Sequence, residues 1–113
     1  MTDREGGAGT ALAAAVIAAV IAVFVLAAAA AVVLDAHRRV VAAADAAALA
    51  GADVALGNAT GTPCGRAADL VADAGLRLDR CAQRGVLVRV RASTVVLGIP
   101  VAADALAGPP RAP

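Results

Sequence analysis

The sequence predicts an α+β protein: a long N-terminal transmembrane helix continuing into a soluble helix, then a short helix and a small antiparallel three-stranded sheet. Three observations predict it. Ala11 to Leu34 form an unbroken apolar run of 24 residues with no charge, amide or proline. Ala67, Leu70, Val71 and Ala74 recur at helical spacing just ahead of Gly75. Val86, Val88 and Val90 alternate with Leu87, Arg89 and Arg91, the period of a half-buried strand.

The first element follows from length. At about 1.5 Å per residue the apolar run makes a helix about 36 Å long, enough to cross a hydrocarbon core of about 30 Å with modest tilt. Residues 1–9 read as a short leader or tail, broken by Gly6, Gly7 and Gly9, with Thr10 as the helix N-cap. No further breaker occurs before Gly51 and Gly57, so one helix is expected over 10–56: a span from Ala11 to Leu34 in lipid, and 35–56 in water. Asp35 has Arg38 and Arg39 three and four residues on, positioned to pair where the helix leaves the bilayer. Val41, Leu49 and Leu56 recur every seven to eight residues and predict a narrow apolar stripe for a partner helix or the protein's own domain. A cleaved secretory signal is the rival reading, with small residues at Ala27 to Ala31. Its apolar region is ordinarily about 7–15 residues behind a positive flank, whereas this run is longer and its flank neutral.

Beyond the helix, residues 57–63 form a turn-rich linker, 64–107 a small α+β domain, and 108–113 a frayed tail. Gly75 stops the second helix. Leu76 and Leu78 alternate with Arg77 and Asp79 in a short strand ending near Cys81; Gln83-Arg84-Gly85 makes a hairpin turn; Ser93 to Ile99 supply a third strand, closed by Gly98 and Pro100. The core expected from Leu70, Val71, Leu76, Leu78, Val86, Val88 and Val90 is thin, because most of the 61% hydrophobic content is alanine and only Phe24 is aromatic. Small domains of this kind need a staple. Cys64 and Cys81 supply two thiols, too few for a structural zinc site; they are either bridged or free and buried. The bridge is the better reading, since closing a loop of about 15 residues contributes roughly 3 kcal/mol.

Orientation rests on the same pair. The N-terminal flank sums to about zero and the flank holding Asp35, His37, Arg38 and Arg39 to about +1, which by itself weakly favours an outside N-terminus. A disulfide requires an oxidising compartment. The prediction is therefore a single-pass cell-membrane protein with a cytoplasmic N-terminus and an extracytoplasmic C-terminal domain.

Chemistry is sparse. A net charge of +1 offers no basic field for nucleic acid. A nucleophilic arrangement would need Ser93, the one serine, to meet His37, the one histidine, at the membrane surface. Asp69 and Asp73, four apart on the second helix, have the spacing of paired carboxylates, but a solvated helix face explains them better. Arg89 and Arg91 sit on the outer face of a strand, where edge charges deter aggregation. The three glycines near the N-terminus follow no strand and do not form a nucleotide loop. The sequence thus predicts no enzyme, no metal, no cofactor and no small-molecule substrate.

Three stretches resemble a known family: Gly7 to Ala15 at the span's start, the alanine-rich Ala42 to Ala50 below it, and Cys64 through Cys81 to Val90. In that order they resemble the small, type IV pilin-like TadE/TadG proteins of actinobacterial tight-adherence (Flp) pilus loci. The resemblance implies a pilin-like structural or assembly component of such a pilus or a related secretion system. Its implied partners are the lipid bilayer and pilin or pilus-assembly and secretion subunits. It also implies leader processing between Gly7 and Ala8. Pilins carry a glutamate five residues after the cleaved glycine; Leu12 stands at that place if Gly7 ends the leader, and Ala11 if Gly6 does. The alternative is a single-span anchored, or secreted, small binding module with no pilus role.

Overall fold

The computed structural model describes residues 3–109, with side chains described from Gly7 onward. Five elements follow in order: α1 (Asp3–Ala55), α2 (Pro63–Asp73), β1 (Arg77–Arg84), β2 (Leu87–Val96) and β3 (Ile99–Ala107). The strands form one antiparallel sheet in the order β1-β2-β3. The chain divides into two compact units, Met1–Val32 and Val33–Pro113.

The described part of the first unit is helical and leaves nearly all of its surface uncovered. Residues Gly7 to Ala28 are all exposed, among them Leu12, Ile17, Phe24 and Leu26. The helix starts at Asp3, not at Thr10 as the glycines suggested. A glycine costs a helix only about 1 kcal/mol relative to alanine, and extending an existing long helix avoids the nucleation cost. Gly6, Gly7 and Gly9 are therefore too few to end it.

The second unit builds its core from the far half of α1, from α2 and from the inner face of the sheet. Val40, Ala44, Ala47, Ala48 and Ala52 of α1 join Ala67 and Val71 of α2, and Val88, Val90, Ala92, Val101, Ala105 and Ala107 of the sheet. Of the residues expected in the core, Val71, Val88 and Val90 are fully buried, while Leu70, Leu76 and Leu78 pack at its margin. Val86 lies in a turn instead. The stripe expected from Val41, Leu49 and Leu56 is not the packed face: Leu49 and Leu56 are exposed, and small residues four apart do the packing. Close approach explains the choice. A Cβ on Gly51 would stand 2.9 Å from Val88 Cγ1 and 3.0 Å from the Pro63 carbonyl oxygen, so no larger residue fits there.

Both helices of this unit end alike. Gly57 and Gly75 adopt positive φ (83° and 75°), and each helix closes with paired bonds back into its last turn. Asn58 N–H donates to Asp53 O at 2.8 Å and Gly57 N–H to Val54 O at 3.0 Å; Leu76 N–H donates to Val71 O and Gly75 N–H to Ala72 O. These are Schellman closures, in which glycine takes the left-handed position without penalty. Thr62 caps α2, its hydroxyl accepting from Gly65 N–H at 3.1 Å, and Pro63 occupies the first turn where its missing N–H costs nothing.

The strands depart from strict alternation at one place. Leu78 pairs with Ala92 but Arg80 with Arg91, leaving Asp79 as an extra residue in a bulge. Unbroken alternation would send Arg80 inward and Cys81 outward; the bulge reverses both. The first strand also runs on past Cys81 to Arg84, and the turn falls on Gly85-Val86 rather than Gln83-Arg84-Gly85. Gly85 has φ 58° and Val86 does not share the positive region, the sign pattern of a II′ hairpin turn. The segment expected as a third strand, Ser93 to Ile99, is instead the end of β2, a turn at Leu97-Gly98 and the start of β3. Valine, threonine and isoleucine on both sides of Leu97 hid the turn, because leucine is not a turn residue. Pro100, expected to close a strand, sits inside β3, an edge strand where its missing N–H is tolerated.

Candidate interaction surfaces

The staple is present as a Cys64–Cys81 disulfide, with a Cα–Cα separation of 5.7 Å. Cys64 is held in the first turn of α2 by the Thr62 cap, and the bulge at Asp79 aims Cys81 toward it. The bridge joins the helix to the middle of β1, not to the strand's end.

The residues considered for catalysis stand apart. His37 is exposed on α1 and Ser93 is half-buried on β2, and no hydrogen bond joins them among the described residues. Asp69 and Asp73 are exposed on α2. Among the described residues no cluster of His, Cys, Asp and Glu is placed to hold a metal ion. Gly7 and Ala8, the candidate processing position, are exposed residues within α1, and the ends of the apolar run, Ala11 and Leu34, are exposed as well. Among the described residues Asp35 and Arg39 form the one ion pair of the flank after the apolar run, Nε to Oδ2 at 2.9 Å. Both side chains are more than half exposed, so the pair is worth well under about 1 kcal/mol.

The outer face of the sheet gathers charge that the sequence disperses. Arg80 and Arg91 stand directly opposite each other across β1 and β2; Arg89 is next on β2 and Arg84 beyond it on β1. Asp104 of β3 pairs with Arg91 at 2.8 Å, and Arg77 with Asp79 at 3.4 Å. Arg80, Arg84 and Arg89 have no carboxylate within ion-pair distance among the described residues. Like charges directly opposite on a sheet are destabilising, and Asp104 relieves only one side of the pair. At one end the arginines border Leu87 and Leu106, both exposed, and Leu49 of α1 lies in the adjoining groove.

Arg89 and Arg91 are therefore not edge-strand charges: β2 is the central strand, and its two neighbours already satisfy its backbone. Sequence reasoning missed Arg80 and Arg84 as members of this face, because the bulge that turns Arg80 outward leaves no signature except an arginine at an inward-phased position. The net charge of +1 averages over the separation.

Fold and surface together define a class: a small α+β unit, stapled by one disulfide, joined to an N-terminal helix long and apolar enough to cross a membrane. No protein-family model, curated protein or solved structure matches the chain.

Proposed function

We propose that the protein is a membrane-anchored, pilin-like structural or assembly component of a Flp-type (tight-adherence) pilus or a related secretion system. The observation that carries the anchoring is the first unit: an apolar helix on which no residue from Gly7 to Ala28 is covered. Such a surface is stable only in hydrocarbon or against other apolar helices. Small residues at Gly9, Ala13, Ala14 and Ala18 permit close helix contact in lipid.

The bridge supports an extracytoplasmic second unit, because disulfides persist in oxidising compartments. The N-terminus then lies in the cytoplasm. The arginine face with its leucine border suits an acidic partner surface that also carries apolar residues. The pilus assignment itself rests on the order of glycine-ended leader, alanine-rich helix and cysteine-flanked helix–strand run.

A photo-reactive side chain in place of Ala18 in the helix, or of Arg89 on the sheet, tests the reading. The expected adduct is a pilin or secretion-platform subunit, identified by mass spectrometry of the cross-linked band. Recovery of uncrosslinked chain alone from both positions contradicts it.

A further inference from the structure

The turn between β2 and β3 carries the wrong residue for its geometry. Leu97 and Gly98 both have positive φ, 52° and 75°, the I′ turn that ordinarily takes Asn-Gly. Leucine there is strained. It is also 64% exposed, flanked by Val95 at 69% and Ile99 at 48%. The apolar tip belongs to an uncharged stretch, Ala92 to Ala103, which contains Pro100 and lies between Arg91 and Asp104. A soluble hairpin tip of this composition has nothing to gain from water.

The tip's position in the second unit says what covers it. Ile99, Pro100 and Ala102 share a surface cleft with Val33, Leu34 and His37 of α1. At the other end of β3, Leu106 and Ala107 share a groove with Asp45 and Leu49. The strand and the helix thus run side by side in the same direction. Val33 to Leu49 rises about 24 Å along the helix and Ile99 to Ala107 about 27 Å along the strand, so the two ends match in level. Val33 and Leu34 are the last residues of the apolar run, and Asp35 is the first charge after it. Leu97 and Gly98 lie beyond Ile99, on the side away from Leu49.

We infer that the β2–β3 hairpin tip, Val95 to Pro100, is a second membrane contact. It lies in the interface of the leaflet from which α1 emerges, with Leu97 among the upper acyl chains. The inference rests on the reading that Ala11–Leu34 spans a bilayer. Two contacts on one leaflet fix the tilt of the second unit, and they hold the arginine face of the sheet at a set angle to the membrane.

The chain has no tryptophan and no tyrosine, so a single introduced tryptophan is its only strong fluorophore. Full-length Leu97→Trp and, separately, Val95→Trp are reconstituted in phosphatidylcholine–phosphatidylglycerol vesicles with and without lipids brominated on the acyl chain. Phe24→Trp reports on the span and Leu87→Trp on the opposite end of the sheet. The inference expects blue-shifted emission and loss of intensity with brominated lipid for Leu97→Trp, Val95→Trp and Phe24→Trp, and neither effect for Leu87→Trp. Quenching of Phe24→Trp with both tip variants unquenched overturns the hairpin contact and leaves the span standing. An unquenched Phe24→Trp overturns the span and the hairpin contact with it. A blue shift at the tip without bromine quenching, dependent on the protein-to-lipid ratio, assigns the tip to a second copy of the chain and overturns the lipid contact.

Discussion

Alanine does opposite work in the two halves of α1. From Gly7 to Ala28 it is one exposed residue among many, and no face of the helix is distinguished from another by burial. In the second unit Ala44, Ala47, Ala48 and Ala52 are buried to the last few per cent and bring the helix against Val88 and Val90. One composition, read in two settings, gives an exposed apolar surface and a surface for close packing. Alanine buries little area, so what it offers the second unit is proximity, and Gly51 takes this to its limit: a Cβ there would stand 2.9 Å from Val88 Cγ1. The difference teaches that helical periodicity scored by large side chains misses packed faces made of small ones.

The contrast is broken most severely by charging the first unit. Val20→Arg with Phe24→Arg is expected to cost about 5–7 kcal/mol of membrane insertion, at roughly 2.5–3.5 kcal/mol per central arginine. Fractionation should show the chain leaving the membrane, while denaturant titration finds the second unit's stability unchanged.

Removing the staple acts on the other half alone. Cys64→Ser with Cys81→Ser is expected to lower the second unit's unfolding free energy by about 3 kcal/mol, and membrane retention should not move. Chemical denaturation of the full chain in detergent micelles, followed by far-ultraviolet circular dichroism, measures the loss.

A matched pair of substitutions sharpens the comparison directly. Ala47→Leu overpacks the second unit and should cost about 1–3 kcal/mol, whereas Ala18→Leu, the same change in the first unit, should leave that unit's stability within experimental error. Equal effects of the two would remove the distinction between the halves.

The smallest expected effect is a gain. Leu97→Asn relieves a left-handed leucine, worth about 1 kcal/mol to the turn, and gives up the leucine's contact with acyl chains, so the net gain in micelles should fall below that figure. Thermal unfolding of the two chains side by side reads the difference.

These variants also mark what the sequence discloses. The apolar run, the stop at Gly75, the alternation through Val88 and Val90, and the cysteine pair are all local signals, and each corresponds to an element of the fold. What escaped depends on neighbours remote in sequence. The bulge at Asp79 is set by pairing with β2, and it alone decides that Cys81 faces Cys64 and that Arg80 faces outward. The turn at Leu97-Gly98 lacks turn chemistry at its first residue, so the sequence predicts one strand over Ser93 to Ile99 where the chain in fact reverses. The arginine face could not be assembled from the sequence without that register, since Arg80 and Arg91 meet only across the sheet.

Alkaline carbonate extraction of cell membranes containing the full-length chain tests the central claim most directly, that the uncovered helix of the first unit lies in lipid. The account predicts that the chain stays in the membrane pellet and enters solution only with detergent. A chain released by carbonate that remains soluble without detergent contradicts it.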